Sequence, residues 1–254
     1  MRGKPMRDFE YLEPDSISDA SRLLAEYDDD CRLIAGGTAL ILALRQRMLA
    51  PTHLISLAKI ESMNGIAVSE KGELRIGSRT KHSEIANSRL VQTGWPMLAD
   101  MASRLANPQV RNQGTIGGNL CYADPATDPP GCLLALDAVI TLVSSRGERQ
   151  FPINEFIVDF FETAIEPDEV LAEIIVPKAT CNSSAHIRHL RTAAEHRPML
   201  NLSIALDHDG DQCHDIRFVV GAAVPVCSRI TSCEELLKGK VFTPALAAEA
   251  GEIV

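Results

Sequence analysis

The sequence predicts a mixed α+β fold built from more than one unit, on three observations. A strand–turn–helix–strand run fills the first part of the chain. Paired strands around a Lys71-Gly72 turn, with several helical stretches, follow it. Beyond residue 200, further strands form a small sheet of their own.

The elements follow in order. Phe9-Glu10-Tyr11-Leu12 reads as extended. Ser16 or Ser18 caps a helix whose apolar face is Ala20, Leu23, Leu24 and Tyr27. Arg32-Leu33-Ile34-Ala35 is a short strand ending in Gly36-Gly37-Thr38. A helix then places Leu40, Ile41, Leu44 and Met48 on one side, and His53 to Leu57 is a second strand. Gly65 to Val68 pairs with Glu73 to Gly77. Helices are expected at about 82–92 and 96–106, the second with Pro96 in its first turn. Leu133 to Leu136 is helical, and Val139 to Val143 and Ile174 to Val176 are strands. The polar stretch Lys178 to Ser184 marks a domain boundary, giving domains 1–177 (subdomains about 1–60 and 61–177) and 178–254. Leu200 to Leu206 and Ile216 to Val220 are strands, followed by a Glu234 to Leu237 helix and an alanine-rich end.

Composition narrows the function. At 254 residues, 45% apolar and 23% charged, the chain is ordinary globular protein. The net charge of −9 disfavours a broad nucleic-acid-binding face. An acidic protein still binds anions locally through backbone N–H groups. No apolar run reaches about 18 residues, and the first 30 residues lack the apolar core of a signal peptide. Seven scattered cysteines without a C-x-x-C pair imply reduced thiols, a cytoplasmic setting, and no zinc or iron–sulfur site in this chain.

Two segments set Gly-Gly next to threonine: Ala35-Gly36-Gly37-Thr38 and Thr115-Ile116-Gly117-Gly118-Asn119. A pyrophosphate needs several convergent donors. Glycine lets backbone N–H groups supply them, because no side chain blocks approach and unusual φ values are open. The helix after Thr38 adds its N-terminal dipole, and threonine hydroxyls and the Asn119 amide donate too. The plainer reading is that each Gly-Gly is only a turn. Neither segment fits the dinucleotide or P-loop fingerprints.

Together with Asn107-Pro108-Gln109-Val110-Arg111-Asn112 and Ala123-Asp124-Pro125-Ala126-Thr127-Asp128-Pro129-Pro130, these segments resemble the FAD-binding subunit of molybdenum hydroxylases, a family that includes xanthine dehydrogenase flavin domains. The likeness runs from Phe9-Glu10-Tyr11 through Pro167-Asp168-Glu169-Val170-Leu171 into a C-terminal domain. It implies two subdomains of the PCMH (vanillyl-alcohol-oxidase-like) type clamping FAD, followed by a small C-terminal α+β domain. Carried over, the cofactor-binding positions are Leu33, Ile34, Ala35, Gly36, Gly37, Thr38, Ala39 and Leu40, then Thr115, Ile116, Gly117, Gly118, Asn119 and Ala123. Asp128 bonds the cofactor's polar groups, Leu171 packs against the flavin, and Arg188 stands where the family often has lysine.

Three departures stand out. Ala39 replaces a usual acid beside the phosphate site, which should not impair binding. Arg191 to Pro198 matches the family's basic-then-Asp-Ile-Ala pattern only loosely. Val254 falls about a helix earlier than expected, so the C-terminal domain is expected to be shortened.

The resemblance implies no substrate catalysis here. Electrons come from a molybdenum–molybdopterin centre on a large partner, through two [2Fe-2S] clusters on a small partner, to FAD. They then leave to NAD⁺, a quinone, a cytochrome or O₂. The expected assembly is a dimer of heterotrimers. A free-standing FAD-dependent small-molecule oxidoreductase is the alternative; it would need a proton donor near the flavin, and none is identified. A docking subunit without flavin is a third reading, opposed by both glycine motifs and Asp128. Minor candidates are His186 with His189, which are metal ligands on one helix face or, more simply, solvated or hydrogen-bonded histidines, Cys121 as a thiol near the cofactor or a buried inert one, and Tyr122 as a ring that stacks or merely packs. Asp124 with Asp128 could be an acid–base pair or ordinary turn residues.

Overall fold

A computed structural model describes residues 7–193 and 197–254. Its first unit holds β1 (Glu10–Leu12), α1 (Ile17–Tyr27), β2 (Cys31–Ile34), α2 (Leu40–Gln46) and β3 (His53–Ser56). The strands form a parallel sheet in the order β1-β3-β2. Ser16, the first of the two expected serines, caps α1 by accepting the Asp19 N–H at 3.0 Å. The expected apolar face of α2 is mostly absent. Leu44 is buried, whereas Ile41 is 40% and Met48 73% exposed. Arg47 at φ 60 ends the helix before Met48 can join its face.

The second unit begins with β4 (Ile66–Val68) and β5 (Leu74–Gly77). Six short helices follow: α3 (His82–Asn87), α4 (Arg89–Gly94), α5 (Pro96–Arg104), α6 (Pro108–Gln113), α7 (Ile116–Tyr122) and α8 (Pro129–Ala135). The single helix expected over 82–92 is two, because Ser88 is extended and its hydroxyl caps α4. Pro96 does open α5. Next come β6 (Val139–Ser144), β7 (Gly147–Pro152), α9 (Ile153–Phe156), β8 (Ile157–Asp159), β9 (Glu162–Thr163) and β10 (Val170–Val176). An antiparallel sheet in the order β4-β5-β10-β6-β7 forms the floor under the helices. The main core lies between them, with Leu74, Ile76, Leu98, Met101, Leu120 and Ile174 fully enclosed.

The third unit comprises β11 (Ser183–His189), β12 (Leu200–Asp209), β13 (Gln212–Gly221), β14 (Ser228–Arg229), α10 (Thr231–Leu237) and α11 (Pro244–Ile253). Its antiparallel sheet runs β11-β12-β13-β14. Along β12, Asn201, Ser203 and Ala205 are buried and alternate with partly exposed neighbours, the period-two signature of a strand with one covered face. That face meets α5 and α8. His186 and His189 therefore do not share a helix face: they lie on strand β11, three apart, with His186 buried and His189 exposed. Among the described residues, no group of three or more metal-ligating side chains converges.

Candidate functional site

Tertiary packing brings the two glycine segments together. A Cβ on Gly36 would lie 2.3 Å from the Gln113 carbonyl oxygen and 2.9 Å from the Gly114 Cα. Gly114 in turn approaches Thr38, since a Cβ there would stand 3.5 Å from Thr38 Oγ1. Glycine at position 36 is thus required by close backbone approach. At Gly37 the requirement is conformational, with φ at +70.

The segments differ in what they leave open. Among the described residues, no protein acceptor takes the N–H of Gly36, Gly37, Thr38, Ala39 or Leu40. These consecutive donors sit at the surface, since all five residues are exposed or half-buried. Such a row is an anion-binding concavity. Helix α2 is only seven residues long, so its bare donors matter more than any macrodipole.

The second segment corrects the expectation of a matching donor turn. Gly117 and Gly118 lie inside helix α7, capped by Thr115, and the N–H groups from Ile116 to Asn119 are already spent. Ile116 N–H donates to the Thr80 carbonyl at 3.0 Å and Gly117 N–H to the Ser78 carbonyl at 2.8 Å. Gly118 N–H donates to Thr115 Oγ1 at 3.2 Å, and Asn119 N–H to the Thr115 carbonyl at 3.0 Å. Gly117 is glycine because a Cβ would stand 2.5 Å from Ser78 Cβ. What this segment does offer is Asn119 Oδ1, buried and without a donor, while its Nδ2 donates to Thr127 Oγ1 at 2.8 Å.

The remaining expected residues lie deeper. Leu33 and Ile34 end β2 and lead into the donor row with Ala35. Ala123 ends α7 in the left-handed region at φ 47, and its carbonyl accepts the Phe161 N–H at 3.0 Å. Asp128 is 1% exposed. Its Oδ1 meets His186 Nε2 at 3.1 Å and Asn201 Nδ2 at 3.2 Å, and its Oδ2 is 3.1 Å from Arg188 Nε. Both carboxylate oxygens are therefore turned to the C-terminal sheet, where they hold protein groups in place of the expected cofactor atoms. Leu171, at a bulge in β10, is 3% exposed and enclosed in the main core, so no open face of it awaits a ring.

Minor candidates resolve simply. Asp124 pairs with Arg197 at 2.6 Å and accepts the Ala126 N–H, which is turn chemistry and not an acid–base pair. Tyr122 packs edge-on against Phe161, with centroids 5.2 Å apart. Cys121 is an exposed residue, unlike the buried thiol expected, and desolvation of its thiol pushes the pKa up to about 12. Ala194, Glu195 and His196 of the loosely matching stretch lie outside the described residues.

Sequence reasoning missed Ser78 and Thr80, whose carbonyls anchor α7, and His82 beneath it. The His82 N–H donates to the Gly114 carbonyl at 3.2 Å. Its ring is 2% exposed with Nδ1 unpartnered, and burial lowers the pKa to about 4, so the imidazole is neutral. No local pattern marks these residues.

Known proteins match this chain in sequence and in fold. Residues 7–179 match the family model for the FAD binding domain in molybdopterin dehydrogenase, and residues 185–254 that for the CO dehydrogenase flavoprotein C-terminal domain. The alpha subunit of the 6-hydroxypseudooxynicotine dehydrogenase complex of Paenarthrobacter nicotinovorans is 39% identical over 177 residues, 70% of this chain and 60% of that subunit. The carbon monoxide dehydrogenase medium chain of Hydrogenophaga pseudoflava is 30% identical over 96% of this chain and 85% of its own. A solved structure of carbon monoxide dehydrogenase from the same organism, lacking the Mo-pyranopterin moiety of its cofactor, superimposes with a TM-score of 0.94. That match covers 98% of this chain and 87% of the other at 30% identity.

Proposed function

This chain belongs to the family of FAD-binding subunits of molybdopterin dehydrogenases, and from that premise we propose that it is the electron-transfer subunit of a three-component molybdenum hydroxylase. It takes electrons from [2Fe-2S] clusters on a small partner, themselves fed by a molybdopterin-binding large partner, and passes them to an external acceptor. The complex is a cytoplasmic dimer of heterotrimers, and its substrate is chosen by the large partner. The domain boundary lies near residue 178.

The observation that carries the cofactor assignment is the row of unused N–H groups from Gly36 to Leu40, pressed against Gly114. Those donors hold the FAD pyrophosphate. Leu33, Ile34 and Ala35 set the row's direction. Thr38 adds a hydroxyl, and Ala39 adds no opposing charge. Thr115, Ile116, Gly117 and Gly118 act as the rigid wall that allows close approach, and Asn119 Oδ1 accepts from a cofactor hydroxyl or amide. Ala123, Asp128 and Arg188 shape the far end of the site, and Leu171 supports α7 from the core. Bound FAD supplies the redox chemistry that side chains lack; the protein binds, orients and excludes water.

The test is an absorption spectrum of the purified chain with identification of the nucleotide released on heating. Flavin bands releasing FAD are expected. The chain alone should turn over no hydroxylation substrate, and adding both partner chains should restore substrate-dependent bleaching of the flavin bands. Substrate turnover by the isolated chain would refute the relay.

A further inference from the structure

Hydrogen-bonded polar groups run without a break from the second glycine segment to the C-terminal sheet. Asn119 Nδ2 donates to Thr127 Oγ1 at 2.8 Å, and the Thr127 carbonyl accepts from Asn201 Nδ2 at 3.0 Å. The same amide reaches Asp128 Oδ1 at 3.2 Å, where His186 Nε2 arrives at 3.1 Å. His186 Nδ1 meets Ser203 Oγ at 2.8 Å, and Ser203 lies 3.6 Å from Cys132 Sγ. His186, Asp128, Asn201 and Ser203 are each at most 2% exposed. Register explains the convergence: His186 pairs with Ser203 and Arg188 with Asn201, so both pairs project from the covered face of β11 and β12.

Proton bookkeeping makes His186 the central member. A carboxylate only accepts, so Nε2 carries the proton that Asp128 receives. Nδ1 then accepts from the Ser203 hydroxyl, whose oxygen also lies 3.6 Å from Cys132 Sγ. Both ring nitrogens of His186 are then matched, while Arg188 balances the charge of Asp128. The groups facing His186 from each packed element are Asp128 and Cys132 on and before α8, Arg188 on β11, and Arg104 on α5, whose guanidinium donates to the His186 carbonyl at 2.7 Å.

We propose that His186 is a positioning residue for the cofactor. It locks Asp128 to the C-terminal sheet, and thereby holds Thr127 and the Asn119 end of the second glycine segment in the arrangement that receives FAD. This rests on the FAD reading above. It makes the C-terminal sheet a working part of the cofactor site, acting through a contact that does not itself touch the cofactor. A histidine that merely filled the junction would affect melting and nothing else.

The test uses the full chain with added FAD. His186→Phe keeps a ring but removes both nitrogens, His186→Gln restores a donor, and Ser203→Ala cuts only the far end. The readouts are FAD affinity by fluorescence quenching, the visible circular dichroism of bound flavin, and Tm. His186→Phe is expected to weaken FAD binding about tenfold or more, the effect of losing one hydrogen bond to a buried charge. It should also change the flavin dichroism. His186→Gln should recover affinity to within about threefold of the parent. A His186→Phe protein that melts lower yet binds FAD with parental affinity and dichroism would overturn the proposal. Should that variant not fold, Ser203→Ala decides: a weaker, same-direction change supports the role and unaltered flavin properties refute it. A parent chain that takes up no FAD would instead overturn the underlying reading.

Discussion

Gly36→Ala tests the docking of the two glycine segments with a single methyl group. The added Cβ would lie 2.3 Å from the Gln113 carbonyl oxygen, more than 1 Å inside ordinary van der Waals contact, and 2.9 Å from Gly114 Cα. Both obstacles are backbone, so no side chain can swing aside. Either β2's exit or the α6–α7 connection must shift, and the row of donors moves relative to its wall. Overpacking of this kind costs about 1–3 kcal/mol. If about 2 kcal/mol of it appears in binding, FAD affinity falls about 30-fold. Fluorescence titration of the apoprotein with FAD measures this directly, and Tm measures the share paid in stability. Gly94→Ala is the control, since a Cβ there meets nothing within 4 Å and the residue ends a helix. It should leave FAD binding unchanged. Parental FAD affinity and Tm in Gly36→Ala would show that the segments are not packed as described.

Two further predictions concern pH. His82, whose pKa burial lowers to about 4, stays neutral when folded but binds a proton near pH 6.5 when unfolded. Its contribution is therefore complete above pH 6.5 and declines on acidification, costing about 2 kcal/mol by pH 5. In His82→Gln the loss of Tm between pH 7 and pH 5 should shrink; an equal loss in both proteins would refute this. Glu169 behaves differently. Burial pushes its pKa up, but paired hydrogen bonds from Arg149 and the Glu166 N–H outweigh that and leave it lowered. Its stabilisation is present above its ordinary range and is lost as pH falls through the lowered value. Chemical denaturation between about pH 5 and pH 3 should show a steeper decline in the parent than in Glu169→Gln.

Much of this was legible in the residues. Ser16 before an amphipathic run, Pro96 at a helix start and the alternation in Leu200 to Leu206 are local signals, and each became the element it implied. Met48 was misjudged because a left-handed Arg47 interrupts a periodicity that the letters alone continue. The hairpin of β8 and β9 went unread because two- and three-residue strands are too short to carry a pattern.

The sequence by itself determined that two glycine segments exist and that they belong with Asp128 in one family pattern. Backbone freedom at glycine is a property of the residue, so it can be read without a fold. Which glycines keep their N–H groups for a ligand was decided only by the tertiary structure. Ser78 and Thr80 are distant in sequence from Gly117 and Ile116, yet their carbonyls consume two donors of the second segment, while those of Gly36 to Leu40 stay open. The same holds for His186, Asn201 and Ser203, which meet Asp128 only because strand register turns one face of a separate sheet toward α8. Hydrogen-bond capacity is exclusive: each N–H serves one acceptor well. Its assignment depends on every group within reach, and the folded chain alone sets that reach.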